Sequence, residues 1–246
     1  MKETEAYKAA LVTGGAVRVG AAIARALAVS GRDVVIHCRT SRPQADALAE
    51  EIRAGGRQAW VVQADLNGES ACQAALDAAW EVSGGLGILV NNAAAFAKQA
   101  MAEADADALA GQFGPNFETP YHLTRAFCSR APEGAVVNLL DRRIASNDPT
   151  CIPYLLSKQA LAGFTKAAAV AYAPRFRING VAPGPALPPP GEPDSHLLEK
   201  AGRIPLERRC PPEEVAEAVV FLCGAPGVTG QILFVDGGQH LLGNGV

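Results

Sequence analysis

Residues Ala9–Cys38 read AALVTGGAVRVGAAIARALAVSGRDVVIHC, and their punctuation decides the fold. An apolar run, Ala9–Thr13, ends in Gly14 and Gly15 and gives way to an alanine-rich segment, Val19–Ser30. Gly31 stops that segment, and a second apolar run, Asp33–Cys38, follows. The pattern predicts a strand, a glycine turn, a helix and a second strand, a βαβ unit of the size a mononucleotide-binding half requires. Gly14 permits a sharp turn, and the amino end of the next helix offers unpaired N–H groups to a pyrophosphate.

The alternation continues outward from this unit. Strands are expected at Ala59–Ala64, Gly87–Asn91, Gly134–Leu140, Arg177–Val181 and Gln231–Val235. Helices are expected at Gln44–Ala54 and Glu69–Val82, with another beginning near Pro115. Strands alternating with helices imply an α/β fold, a Rossmann-like doubly wound parallel sheet of about seven strands with helices on both faces. No repeat or linker divides residues 1–246, so one domain is expected. Pro183–Arg209 breaks the rhythm with PGPALPPPGEP and a short helical piece, Ser195–Ala201. Because it follows a strand whose carboxyl end faces the ligand side, it reads as a substrate lid; a proline-stiffened surface excursion is the other reading.

Composition narrows the partners. With 246 residues, 49% of them hydrophobic, the chain can bury a large core. A net charge of −3 and 22 dispersed basic residues give no nucleic-acid footprint and no polybasic membrane patch, which points to a small-molecule substrate. The six cysteines form no C-x-x-C pair, no secretory core opens the sequence, and even Ala160–Ala173 is interrupted by Lys166. A cytoplasmic protein with reduced thiols is expected. His37, His122, His196 and His240 lack metal-ligand spacing, so no metal is expected.

Five places carry candidate site residues. In the glycine turn, Gly14, Val19 and Gly20 frame the phosphate position, and Arg18 stands where a tighter motif carries another glycine. Strand 2 ends in His37-Cys38-Arg39-Thr40-Ser41-Arg42, without the carboxylate that binds ribose hydroxyls in NAD sites. Its basic and hydroxyl groups suit a 2′-phosphate, so NADPH is the expected cofactor, with a solvated basic loop as the plainer alternative. Asp65 and Leu66 are placed to bracket an adenine, although an acid after a strand also caps helices. Asn92 and Ala93 allow a flat ligand close to backbone, or Asn92 holds a turn. Finally, Asp141 lies thirteen residues before Tyr154, and Lys158 lies four after it. On one helix face, the ammonium beside the phenol makes a proton donor.

The order T-G-x-x-x-x-x-G, A-D-L, N-N-A, Y-x-x-x-K, P-G and V-D-G-G, from Lys8 to His240, resembles the short-chain dehydrogenase/reductase family. The resemblance implies hydride transfer from a nicotinamide, with Tyr154 donating the proton and Lys158 binding ribose and lowering the tyrosine's pKa. It implies a relay water at Asn116 in G-P-N-F, cofactor contacts at Pro183 and Gly184, and a homo-oligomer, with a tetramer favoured. Asp141 stands where the family usually has a serine. A carboxylate favours substrates that offer N–H groups. Arg18, the N-N-A-A-A-F run ending in Phe96, and Asp141 resemble the pteridine reductase branch, which implies a pterin between Phe96 and the nicotinamide, in contact with Arg18. Phe96 would otherwise be a core residue, and Ala94 and Ala95 replace two serines of that branch. The expected activity is NADPH-dependent reduction of a C=N bond in a pterin-type substrate. An NADPH-dependent carbonyl or 3-oxoacyl thioester reductase and a catalytically silent NADPH-binding sensor are the alternatives.

Overall fold

Two interleaved sets of apolar residues build the sheet of this computed structural model, which describes residues 9–188 and 202–243. Strands β1 (Ala9–Val12), β2 (Asp33–Cys38), β3 (Ala59–Gln63), β4 (Leu86–Asn91), β5 (Gly134–Leu139), β6 (Phe176–Pro183) and β7 (Ile232–Val235) pair in parallel, in the order β3-β2-β1-β4-β5-β6-β7. Side chains alternate across a strand. Ala10, Val12, Val34 and Ile36 therefore enter one core, and Leu11, Val35 and Leu89 the other. Helices α1 (Arg18–Val29), α2 (Arg42–Ala54) and α7 (Pro212–Gly224) cover the first face; α3 (Glu69–Ser83), α5 (Thr119–Arg130) and α6 (Ile152–Ala171) cover the second. Burial on both sides explains why β1 and β2 read as continuous apolar runs rather than as alternating ones.

The strand order reverses between β1 and β4, so their carboxyl ends part and leave a crevice. Helix α7 was not anticipated from the sequence, and two further elements depart from its reading. The helix expected near Pro115 begins earlier, as α4 (Ala106–Phe113), capped where the Asp105 side chain accepts the Ala108 N–H at 2.8 Å. It passes through a π-helical turn, Gly114–Glu118, into α5. Pro115 cannot donate to the helical ladder, and a wider turn absorbs the missing bond. Strand β6 also runs to Pro183, two residues beyond the expected end. The expected helical piece Ser195–Ala201 lies outside the described residues. No helix among the described residues is long and apolar enough to cross a membrane.

Candidate active site

A cavity of about 650 Å³ opens where β1 and β4 part, within the range of small-molecule sites. The amino end of α1 forms one wall through Arg18, Val19 and Gly20, beside Gly14. Gly14 is left-handed at φ +59°, and a Cβ at Gly20 would overlap the Gly14 carbonyl oxygen and lie 2.6 Å from Asn92 Nδ2. Only glycine at position 20 lets helix and turn close up and present helix N–H groups to an anion. Arg18 is also left-handed, at φ +55°, where a glycine is the easier residue. Its Nη2 donates to the Pro188 carbonyl at 2.9 Å, joining the glycine turn to the chain beyond β6.

The opposite wall holds Arg39, Thr40 and Ser41, with Asp65 and Leu66 beside them. Arg39 forms no ion pair among the described residues, whereas Arg42 is bound to Asp46 at 2.8 Å. His37, at the end of β2, is turned inward rather than towards the cavity's basic wall. It is 4% exposed; its Nδ1 accepts the Gly14 N–H at 3.2 Å, and its Nε2 lies 3.1 Å from the Ala64 carbonyl. These partners require the neutral Nε2–H tautomer, and burial lowers its pKa below the usual histidine value. His37 ties the glycine turn to the end of β3. Asp65 is exposed and caps nothing, since α3 is capped at Gly68.

Asn92 and Ala93 line the cavity, but the Asn92 amide is committed to the Thr13 and Gly14 carbonyls at 2.9 and 3.1 Å. Thr13, which the motif reading passed over, completes the joint: its hydroxyl accepts the N–H groups of Asn92 and Ala93. Pro183 and Gly184 are not among the cavity's lining residues. Gly184 instead donates to the Val235 carbonyl, and a Cβ on it would lie 2.7 Å from the Asp236 Cα.

The second cluster gathers around α6. Pro153 near its amino end suits the first turn, and Tyr154 and Lys158 follow one turn apart. Tyr154 is 6% exposed and donates its hydroxyl to Asp141 Oδ2 at 2.9 Å. Asp141 caps the 3-10 turn Arg142–Ala145 through the Arg143 N–H. Lys158, 3% exposed, donates to the Leu139 carbonyl at 2.7 Å, and burial brings its pKa down to about 8 against the pull of Asp141. The Lys158 ammonium, which the family resemblance casts as the group that lowers the tyrosine's pKa, is here bonded to the Leu139 carbonyl. Burial, and then the Asp141 charge, push Tyr154 well above the usual phenol value, and Arg143 is the cation that opposes them.

Phe96 is no core residue: it is 52% exposed and stands edge-on to Tyr154, with ring centroids 4.8 Å apart. Asn116, fully buried on the π-helical turn, braces the segment that carries Phe96. Its amide accepts the Ala95 N–H and donates to the Ala95 carbonyl, both at 2.9 Å, and also reaches Ser157 Oγ at 3.2 Å. The Asn116 side chain is thus occupied by protein partners. Arg143 completes the cluster, and the sequence reading missed it, because only the folded turn capped by Asp141 brings it back onto that carboxylate.

This sheet order, glycine turn and Tyr154–Lys158 pair define a class. Residues 15–240 match the family model described as enoyl-(acyl carrier protein) reductase, and the chain belongs to the short-chain dehydrogenase/reductase family of oxidoreductases. Among its relatives, pteridine reductase 1 of Leishmania tarentolae is 32% identical, the match covering 94% of this chain and 96% of that protein. Cis-4-hydroxycyclohexanecarboxylate dehydrogenase of Sinomonas cyclohexanicum is 37% identical over 97% and 98%. The crystal structure of FolM alternative dihydrofolate reductase 1 from Brucella canis, complexed with NADP, superposes with a TM-score of 0.90 at 36% identity, covering 96% of this chain and 95% of that one.

Proposed function

We propose that this protein is an NADPH-dependent reductase that acts on a C=N bond of a pterin-type substrate. One observation carries the reading: the Tyr154 hydroxyl is held by a carboxylate, Asp141, where reduction of an ordinary carbonyl calls for a neutral donor to the substrate oxygen. Pterins bring amino and ring N–H groups for which that carboxylate is the acceptor. The pteridine reductase and the NADP-bound dihydrofolate reductase among the similar proteins support the same choice. The cyclohexanecarboxylate dehydrogenase keeps carbonyl reduction as the second reading.

The cavity fits NADPH. The α1 amino end, from Arg18 to Gly20, would hold the pyrophosphate; Arg39, Thr40 and Ser41 the 2′-phosphate; Asp65 and Leu66 the adenine; and the backbone at Asn92 and Ala93 the cofactor's flat face. When bound, NADPH supplies the hydride. Tyr154 is a phenol at neutral pH, as an ordinary tyrosine is, and burial beside Asp141 raises its proton affinity further, so it enters the reaction carrying the proton it donates. A substrate N–H replaces the tyrosine hydroxyl on Asp141, and Tyr154 then turns its proton to the imine nitrogen. Lys158 keeps two N–H donors beyond the one spent on Leu139, and these serve the ribose. Phe96 stacks on the substrate, and Arg18 contacts it. The lid expected over residues 183–209 lies in part outside the described residues; the enzyme is a single domain that assembles as a homotetramer, and six free, buried thiols fit a reducing cytoplasm.

Two predictions belong here. Activity requires the Lys158 ammonium, so kcat/KM is expected to fall as pH rises through about 8, the value to which burial lowers this lysine; a pH–rate profile measures it. Relief of the strained left-handed conformation offsets one lost exposed hydrogen bond, so Arg18→Gly is expected to leave stability within about 1 kcal/mol. The same change is expected to raise the dihydropterin KM several-fold, as steady-state kinetics and thermal melts will read. The function itself is tested by a crystal structure with NADP and a dihydropterin. The expected ring lies between Phe96 and the nicotinamide with its nitrogens on Asp141; a ring bound away from Asp141 contradicts the reading.

A further inference from the structure

Arg143 sits between two carboxylates beside the reacting phenol. Its Nη1 lies 3.1 Å from Asp141 Oδ2, its Nε donates to Asp148 Oδ2 at 3.1 Å, and its own N–H donates to Asp141 Oδ1 at 2.8 Å. Asp148 is anchored in turn by the Thr150 N–H at 3.0 Å and the Thr150 hydroxyl at 2.6 Å. The guanidinium carbon stands 5.5 Å over the ring of Phe96, the aromatic that meets Tyr154 edge-on. A planar cation held at both edges and on one face has little freedom to swing. The side chains of Arg143, Asp141 and Asp148 are 25%, 16% and 16% exposed, so water screens their charges only in part.

One carboxylate oxygen receives both groups. Asp141 Oδ2 accepts the Arg143 Nη1 and the Tyr154 hydroxyl, which lies 2.9 Å away. Rotation of Asp141 would break both bonds, so the guanidinium fixes the oxygen that faces the phenol. Charge gives Arg143 a second effect. When the Tyr154 O–H bond breaks and an N–H bond forms on the substrate, the electron pair stays on the phenolate, next to the Asp141 carboxylate. Two anions then lie side by side in a buried place, which is costly without a nearby cation. The Lys158 ammonium is directed at the Leu139 carbonyl; Arg143 is already bonded to the same carboxylate. In line with this, Arg143 draws the Tyr154 proton affinity down while burial and Asp141 raise it.

We propose that Arg143, tethered by Asp148, is a positioning residue for proton donation: it sets Asp141 Oδ2 against Tyr154 and offsets the charge that builds on that pair as the phenol gives up its proton. This rests on the proposed reaction, with Tyr154 as donor. The test is a double-mutant cycle on kcat with Arg143→Gln, Asp141→Ser and the double variant, together with Arg143→Lys, NADPH affinity and thermal melts. Arg143→Gln is expected to lower kcat roughly 10- to 100-fold with NADPH affinity within about 2-fold, and Arg143→Lys to recover part of the loss. In the Asp141→Ser background the same Arg143→Gln change is expected to cost less than about 3-fold, because the group it acts through is gone. An equal loss in both backgrounds, or no loss in either, overturns the proposal. If Arg143→Gln does not fold, Asp148→Ala leaves the guanidinium untethered and is expected to lower kcat about 3- to 10-fold without changing NADPH affinity; unchanged kcat overturns the proposal. Wild-type rates on dihydrobiopterin and on a ketone panel are measured first. Turnover of ketones alone sinks the pterin reading, and the cycle is then run on a ketone, where the same coupling between Arg143 and Asp141 is expected.

Discussion

Tyr154→Phe is expected to lower kcat by roughly 10²- to 10⁴-fold, the range that a positioned general acid contributes. The change removes one oxygen and leaves the ring against Phe96. NADPH affinity is expected to stay within about 2-fold, because the cavity walls at Gly14, Arg39 and Asp65 do not involve the hydroxyl. The oxygen lost is a buried donor whose partner, Asp141 Oδ2, keeps its bond to Arg143, so no carboxylate is left unpaired and the fold should persist. Stopped-flow measurement of NADPH oxidation reads the rate, and fluorescence titration reads the affinity. A variant that retains more than about a tenth of wild-type kcat would remove Tyr154 from the role of donor.

Gly20→Ala is expected to raise the NADPH dissociation constant by roughly 100-fold or more. The added carbon meets the Gly14 carbonyl, which belongs to backbone and cannot swing aside as a side chain does. Forcing it in costs about 1–3 kcal/mol of local shift. Pushing α1 from the turn also misplaces N–H groups whose bonds to a phosphate are charge-assisted, at about 1.5–3 kcal/mol each. Helix propensity runs the other way, favouring alanine by about 1 kcal/mol in a helix interior, so weakened binding cannot be ascribed to a poorer helix. Fluorescence titration with NADPH checks the outcome, and wild-type affinity in Gly20→Ala contradicts the close approach.

The βαβ opening was legible because Gly14, Gly15 and Gly31 punctuate apolar runs of the right length. Tyr154 and Lys158 were legible because helical spacing alone brings them together. What depends on register or on a turn was not. His37 was legible as a strand residue but not as a joint, because the pairing of β2 with β1 and β3 is what turns its ring onto Gly14 and Ala64. Of the two readings of Asn92, the turn-holding one matches its amide bonds to Thr13 and Gly14, and Asn116, expected to hold a relay water, braces the backbone at Ala95. The π-helical turn was hidden because Pro115 reads as a helix start, whereas here it interrupts a helix already under way. Arg143 carries no motif; its importance appears only once the 3-10 turn capped by Asp141 folds it back onto that carboxylate. Chemistry-bearing residues at regular spacing are readable from sequence, and those whose partners lie across strands or inside irregular turns need coordinates.

NADPH is expected to reduce a pterin here, with Asp141 selecting a nitrogen heterocycle over an ordinary carbonyl. The most direct measurement follows NADPH oxidation with dihydrobiopterin, dihydrofolate and a panel of ketones and 3-oxoacyl thioesters, in wild type and in Asp141→Ser. Wild type is expected to turn over at least one dihydropterin and few ketones, and Asp141→Ser to shift away from the dihydropterin. Ketone turnover without dihydropterin turnover, or dihydropterin rates untouched by Asp141→Ser, would contradict the pterin reading.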